Sequence, residues 1–270
     1  MKASSFAYAK PRAIAEVFDL LERNGDRARI LAGGQSLIPS LNMRLSAPEL
    51  LIDIGGLDGL SSIVVENGVL RIGALATHSM IERSEDVKKH VPLLAQAVPH
   101  IAHPAIRNRG TLGGSLALAD PAAEYPACAV ALKASLVIRS RKGERRVEAA
   151  QFFKGLFETD LKPGELLAAA EFPVARKGDR SVFLELTRRH GDYAIIGIAC
   201  HRSSDNRIAF LNAGPTPVLA RKAASKKNLE EAKKALAEDL DPPADLYNSA
   251  ATKLHLAGVL LERAWNTLST

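Results

Sequence analysis

The sequence has only two cysteines in 270 residues, Cys128 and Cys200, each alone inside an apolar stretch (YPACAVAL and GIACHR). Two isolated thiols can ligate neither an iron–sulfur cluster nor a thiolate zinc site, so both read as small buried hydrophobes. Aromatics are scarce too, at 5%, and the 36 basic against 30 acidic residues lie in scattered pairs such as Arg145–Arg146 and Lys226–Lys227. A base-stacking surface needs a basic stripe interleaved with aromatics, so nucleic acid is not an expected partner. The excess of six positive charges fits an acidic partner or an anionic ligand. No run of ~18 apolar residues exists, which excludes a helical membrane span. The start, MKASSFAYAKPRAIAEVF, lacks the apolar core of a secretory signal, and a cytoplasmic location is expected. No Ser–His–Asp set or paired carboxylates stand out, so no catalytic side chain is assigned. His100 and His103 have metal-like spacing but no third ligand, and no metal site is expected.

What is present is an alternation of helix and strand patterns. Ile14, Val17, Phe18 and Leu21 fall on one helical face, with Gly25 as a stop. ARILA (28–32) is a short buried strand leading into Gly33–Gly34, and QSLIPSLNMRL follows as a helix with Ser36 as N-cap. ELLIDI (49–54) is a second strand. SSIVVENGVLRIGAL is a hairpin turning at Asn67–Gly68. Helices are expected over THSMIERSEDVKKH and PLLAQAVPHIA, and again from DPAAEYP, with Asp120 as cap and Pro121 in the first turn. Next come a hairpin (ASLVIRS, RRVEAA), a short helix at QFFKGLFE and a strand at ELLAAAEFPV. Past ARKGDRS, three strands form an antiparallel meander and two helices follow, broken by Pro242–Pro243. The expected division is therefore 1–175 and 176–270.

Two glycine-rich segments stand out, LAGGQSL at 31–37 and RNRGTLGGS at 107–115. Each offers main-chain N–H groups without bulky side chains, next to hydroxyls, which suits a phosphate or a diphosphate. The first lacks the third glycine of a G-x-G-x-x-G fingerprint and the G-K-[ST] ending of a P-loop. Taken alone, a Gly–Gly turn between strand and helix is more often plain turn chemistry. In the second, three glycines within five residues are a poor helix or strand and a good backbone nest. Two such segments, 77 positions apart by Gly33 and Gly110, point to one elongated anionic ligand held from two sides.

The wording around them goes further. LAGGQSLIPSLNMRL, LIDI, RIGALATH and HPAIRNRGTLGGSLALADPAAEYP resemble the FAD-binding medium subunit of molybdenum hydroxylases, the aerobic carbon monoxide dehydrogenase and xanthine dehydrogenase family. GLFET, PGELL, RRHGDYAIIGIA and NAGPTPVLA extend the resemblance over most of the chain. It implies an α+β fold with a PCMH (vanillyl-alcohol-oxidase) type FAD-binding domain of two subdomains, about 1–57 and 58–175. A C-terminal domain of a three-stranded antiparallel sheet with helices would complete it.

By the same resemblance, Leu31, Ala32, Gly33, Gly34, Gln35, Ser36 and Leu37 would wrap the FAD diphosphate. Gly110, Thr111, Gly113, Gly114 and Ser115 would do so from the other subdomain. Thr77 would reach the ribityl or ring end. Asp120 and Glu124 supply the acidic positions, Glu124 standing where the family commonly has Asp. Leu166 and Leu167 would line the adenine pocket, and Tyr193 would lie near the isoalloxazine ring. His78 reads equally as a flavin neighbour and as a solvated helix-start residue. FAD would be non-covalent, with the molybdenum cofactor and [2Fe–2S] clusters confined to a large and a small partner subunit, in a dimer of heterotrimers. A flavin-free scaffolding subunit and a stand-alone flavin oxidase are the competing readings; the first runs against the intact glycine segments, and the second would need a substrate pocket with a positioned base.

Overall fold

The computed structural model describes residues 2–269. The chain opens with a parallel sheet of β1 (Ala7–Ala9), β2 (Ala28–Leu31) and β3 (Leu50–Asp53), in the order β1-β3-β2. Two helices connect these strands, as parallel pairing requires. In α1 (Ile14–Asn24) the predicted stripe buries Val17 and Phe18, and Gly25 ends the helix at φ 51°. The next helix, α2 (Leu37–Asn42), stops short of the predicted Leu45, and Arg44 turns to φ 57°. Ser36 holds the N-cap position of α2, but its hydroxyl caps no N–H.

The second layer begins with the predicted hairpin, β4 (Ile63–Glu66) and β5 (Val69–Gly73). Asn67 and Gly68 lie at φ 51° and 77°, the two positive values that a type I′ turn needs. Short helices follow: α3 (His78–Arg83), α4 (Glu85–His90), α5 (Pro92–Ala97), α6 (Pro104–Arg107), α7 (Leu112–Leu118) and α8 (Glu124–Ala131). Two of these differ from expectation. The predicted nest at Gly113–Gly114 is the first turn of α7, capped by the Thr111 hydroxyl, which accepts from Gly114 N–H at 3.1 Å. Asp120 does not cap α8: its carboxylate accepts the Ala122 N–H in a local turn, and the helix starts two residues later, with Ala123 as N-cap.

β6 (Ser135–Ser140) and β7 (Gly143–Glu148) form the expected hairpin. The helix predicted at QFFKGLFE is replaced by α9 (Ala149–Phe152) and a small hairpin, β8 (Phe153–Gly155) with β9 (Glu158–Thr159). Phe152 and Phe153 are both buried and meet edge to face at 5.2 Å, an arrangement that breaks the helix between them. β10 (Leu166–Pro173) then completes an antiparallel sheet in the order β4-β5-β10-β6-β7. A bulge between Leu167 and Ala169 reverses which side chains of β10 share a face. Leu166 and Ala168 pack under the parallel sheet, whereas Leu167, Ala170 and Phe172 join the main core.

The C-terminal part holds β11 (Arg180–Leu186), β12 (Ile196–Arg202) and β13 (Asn206–Leu211) as the predicted meander, with a two-residue edge strand, β14 (Val218–Leu219), as a fourth. Helices α10 (Arg221–Ala224), α11 (Leu229–Asp239) and α12 (Ala250–Ser269) cover one face. The opposite face contributes Phe183, Ala199, Ala209 and Leu211 to the main core. Between them lies α8, with all eight residues buried. Its last carbonyls, Val130 and Ala131, accept from the Arg207 guanidinium of β13 at 2.8 and 3.1 Å.

Lys253 of α12 is 1% exposed and donates to Asp245 Oδ2 at 2.9 Å. Asp245 also accepts the N–H groups of Tyr247 and Asn248, and these bonds hold its carboxyl well below the usual range. Removing only the acid strands a buried ammonium, so Asp245→Ala is expected to cost about 2–4 kcal/mol in urea unfolding, whereas Lys253→Met costs less than about 1 kcal/mol.

Candidate functional site

The first glycine segment leaves β2 at Leu31, whose carbonyl accepts the Ile54 N–H at 2.9 Å. Among the described residues, the N–H groups of Gly33, Gly34, Gln35, Ser36 and Leu37 have no acceptor in the protein. Gly33 is required for a contact: a Cβ there would sit 2.1 Å from the Arg109 carbonyl oxygen and 2.9 Å from Gly110 Cα. The two glycine segments therefore touch, backbone on backbone. Beside this junction lies a cleft of about 590 Å³, walled by Leu31–Gln35, Ile38 and Pro39, by Lys10, Asp53 and Gly55, and by Arg109.

The second segment is built differently. Thr77 and Thr111 face each other in an isolated antiparallel bridge, with His78 N–H donating to Gly110 O and Leu112 N–H to Ala76 O. Each threonine also caps a helix, Thr77 by accepting from Met80 N–H and Thr111 from Gly114 N–H. The N–H groups of Leu112, Gly113, Gly114 and Ser115 all have acceptors within the protein, so this stretch is not the open donor cradle that its sequence predicts. Gly113 is small because α7 crosses the end of β5 closely, and a Cβ would lie 2.4 Å from that of Ala74. Arg107 fixes the approach to the segment. It is 7% exposed, pairs with Glu82 at 3.0 Å and donates to the carbonyls of Ile101 and Ala102.

At the N-terminus of α8, Asp120, Glu124 and Tyr193 form a third group. Glu124 is buried, and its carboxyl is pushed up to about 8 by burial first and then by the charges of Glu185 and Asp120, so it is protonated near neutral pH. Burial likewise raises Asp120. Tyr193 is exposed as a residue, yet partial burial of its hydroxyl end and the nearby Asp120 and Glu124 charges raise its phenol. Behind them, His78 is buried rather than solvated and meets the Tyr125 ring at 5.3 Å. Burial and the Arg107 charge push it down to about 4, so it is neutral. His78 Nδ1, Tyr125 Oη and Glu185 Oε2 are buried without a partner among the described residues. Glu185 Oε1 lies 3.3 Å from His100 Nδ1.

The structure thus brings Leu31–Gln35 to the cleft, with Ser36 and Leu37 outside its lining. It pairs Thr77 with Thr111, sets Arg109 and Gly110 against Gly33, and gathers Asp120, Glu124 and Tyr193 in one neighbourhood. It sends Leu166 and Leu167 into two separate cores, and neither lines the cleft. Lys10, Asp53 and Arg109 line it without having been read from the sequence. Arg109 lay inside the quoted motif; nothing local marks Lys10.

Residues 4–175 match the FAD binding domain in molybdopterin dehydrogenase, and residues 181–268 the C-terminal domain of carbon monoxide dehydrogenase flavoprotein. The chain belongs to this family. As a member it is an oxidoreductase component. It is 37% identical to the 6-hydroxypseudooxynicotine dehydrogenase complex subunit alpha of Paenarthrobacter nicotinovorans, over 97% of this chain and 94% of that one. It is 35% identical to the carbon monoxide dehydrogenase medium chain of Hydrogenophaga pseudoflava, over 97% and 96%. A solved carbon monoxide dehydrogenase from that organism, lacking the Mo-pyranopterin moiety of its molybdenum cofactor, superimposes with a TM-score of 0.94 at 34% identity, covering 98% of each chain. The FAD-binding family and the α+β architecture expected from the sequence are both borne out.

Two outcomes follow from the geometry. Gly33→Ala forces the glycine segments apart and is expected to cost about 1–3 kcal/mol in denaturant unfolding. Between pH 6.5 and 8 the folded FAD-free chain keeps a proton on Glu124 that the unfolded chain has released, so stability falls as pH rises. His78 is neutral in the folded chain, and the proton its unfolded imidazole releases around pH 6.5 opposes this slope only at the acid end of the window. Thermal midpoints of Glu124→Gln are expected to lose this slope.

Proposed function

We propose that the chain is the flavin-carrying medium subunit of a cytoplasmic molybdenum hydroxylase resembling carbon monoxide dehydrogenase. It takes electrons from [2Fe–2S] clusters on a small partner subunit and hands them to an external acceptor. The molybdenum cofactor sits on a large partner, and the whole forms a dimer of heterotrimers. Residues 1–175 form the flavin domain and 176–270 its C-terminal companion. The observation that carries this reading is the cleft beside the touching glycine segments, with five main-chain N–H groups free to donate. That donor set fits a diphosphate.

Bound FAD supplies the electron-accepting and electron-releasing chemistry, so the protein's part is position and electrostatics. The N–H groups of Gly33, Gly34, Gln35, Ser36 and Leu37 hold diphosphate oxygens, and Leu31 and Ala32 shape the floor. Gly110, Thr111, Gly113, Gly114 and Ser115 confine the ligand from the other side, with contact made by the Thr111 hydroxyl and the packed backbone. Thr77, Asp120 and Glu124 address the ribityl hydroxyls. Because Glu124 is protonated, it donates a hydrogen bond that a carboxylate could only accept. Tyr193 lays an exposed flat ring where it limits water at the isoalloxazine. Leu166 and Leu167 support the adenine end through the cores they fill. Both cysteines are buried, and FAD is held non-covalently.

The named relatives act on carbon monoxide and on a nicotine derivative while sharing this subunit's fold, which supports placing substrate choice on the large partner. Titrating the purified chain with FAD is expected to give a bound flavin with absorbance near ~450 nm that gel filtration under native conditions retains and denaturation releases. A chain that stays colourless after titration refutes the assignment.

A further inference from the structure

We infer that Arg109 and Lys10 are the two cations that hold the diphosphate of the bound dinucleotide, one from each wall of the cleft. This rests on the FAD reading above and adds charge recognition to it.

Both residues line the cleft together with Gly33, Gly34 and Gln35. Among the described residues neither has a carboxylate within 4.0 Å, although the chain forms many other ion pairs. The contrast inside one motif is sharp. Arg107 is buried and saturated by Glu82 and main-chain carbonyls, whereas Arg109, two residues on, is exposed and its guanidinium makes no hydrogen bond. The Arg109 main chain is fixed all the same. Its N–H donates to Ile106 O at 3.0 Å, and its carbonyl is pressed against Gly33. The cleft therefore offers a guanidinium on a rigid base at the junction of the two segments.

Lys10 is similar. Its Cε lies 3.3 Å from where a Cβ of Gly56 would be, so the aliphatic stem rests on the Gly55–Gly56 turn. The one carboxylate of the cleft, Asp53, is engaged by the Tyr8 hydroxyl and the Gly55 N–H and neutralises neither cation. A diphosphate diester carries about two negative charges, and neutral N–H groups can orient its oxygens but cannot balance them; a fork-shaped guanidinium and an ammonium do. Because Arg109 stands on the second segment and Lys10 follows the first strand, the ligand's charge also ties the two subdomains together.

The test is a fluorescence titration of the full chain with FAD, and in parallel with riboflavin, which has no phosphate, at low and high salt. Arg109→Gln and Lys10→Gln are each expected to weaken FAD about tenfold at low salt and to make FAD binding less sensitive to salt, with riboflavin binding unchanged. Arg109→Lys should recover part of the loss, and Lys226→Gln, remote from the cleft, should change nothing. Circular dichroism verifies that each variant is folded. Variants that bind FAD as tightly as the wild type, with the same salt slope, overturn the assignment and leave the FAD reading standing. Equal losses for FAD and riboflavin also overturn it, because the cations would then act through the fold. A wild-type chain that binds no FAD removes the reading beneath the inference, and the inference with it.

Discussion

The structure depends on the complete burial of α8. A helix whose every side chain is inside must be covered on all sides, and here the C-terminal sheet covers one side while α5, α7 and α9 pack against the rest. Ala127, Cys128, Ala129 and Ala131 keep it slim enough for the sheet and these helices to approach closely. Its N-terminus points to the neighbourhood of Asp120 and Tyr193, and its C-terminal carbonyls are held by Arg207 of β13. The two sequence-matched regions are therefore one mechanical object around this helix. The same burial is what raises Glu124 and silences His78, so the protonation of the site is set by packing.

Elements with strong local grammar were legible in the sequence. The Ile14–Leu21 stripe, the Asn67–Gly68 turn and the β11–β13 meander each carry their own period or turn chemistry, and the structure follows them. Segments decided by tertiary contact were not. QFFKGLFE looks helical until two adjacent phenylalanines must both be buried. GTLGGS looks like an open nest until Thr111 caps it and Ala74 fills the space beside Gly113. Asp120–Pro121 has every sign of a helix start, yet a two-residue turn uses the carboxylate first.

The candidate site was readable to the same degree. The first glycine segment does present unpaired donors, as its composition implies. The second contributes shape, and its glycines serve the close approach of backbone to backbone. Lys10 and Asp53 entered the cleft from strand ends with no motif around them, because only the parallel sheet brings positions 10, 31 and 53 together. Leu166 and Leu167 carry a recognisable wording, but as consecutive strand residues they point to opposite faces, and each fills a different interior.

The β10 bulge has a further meaning for how the molecule can change. By shifting parity once, β10 presents Leu166 and Ala168 to one interior and Ala170 and Phe172 to another. Substitutions at Leu166 and Ala168 are answerable to the core under the parallel sheet, and those at Ala170 and Phe172 to the core around α8. One continuous strand thus serves two independent sets of compensating mutations, and the parallel-sheet lobe can drift in sequence without retuning the main core.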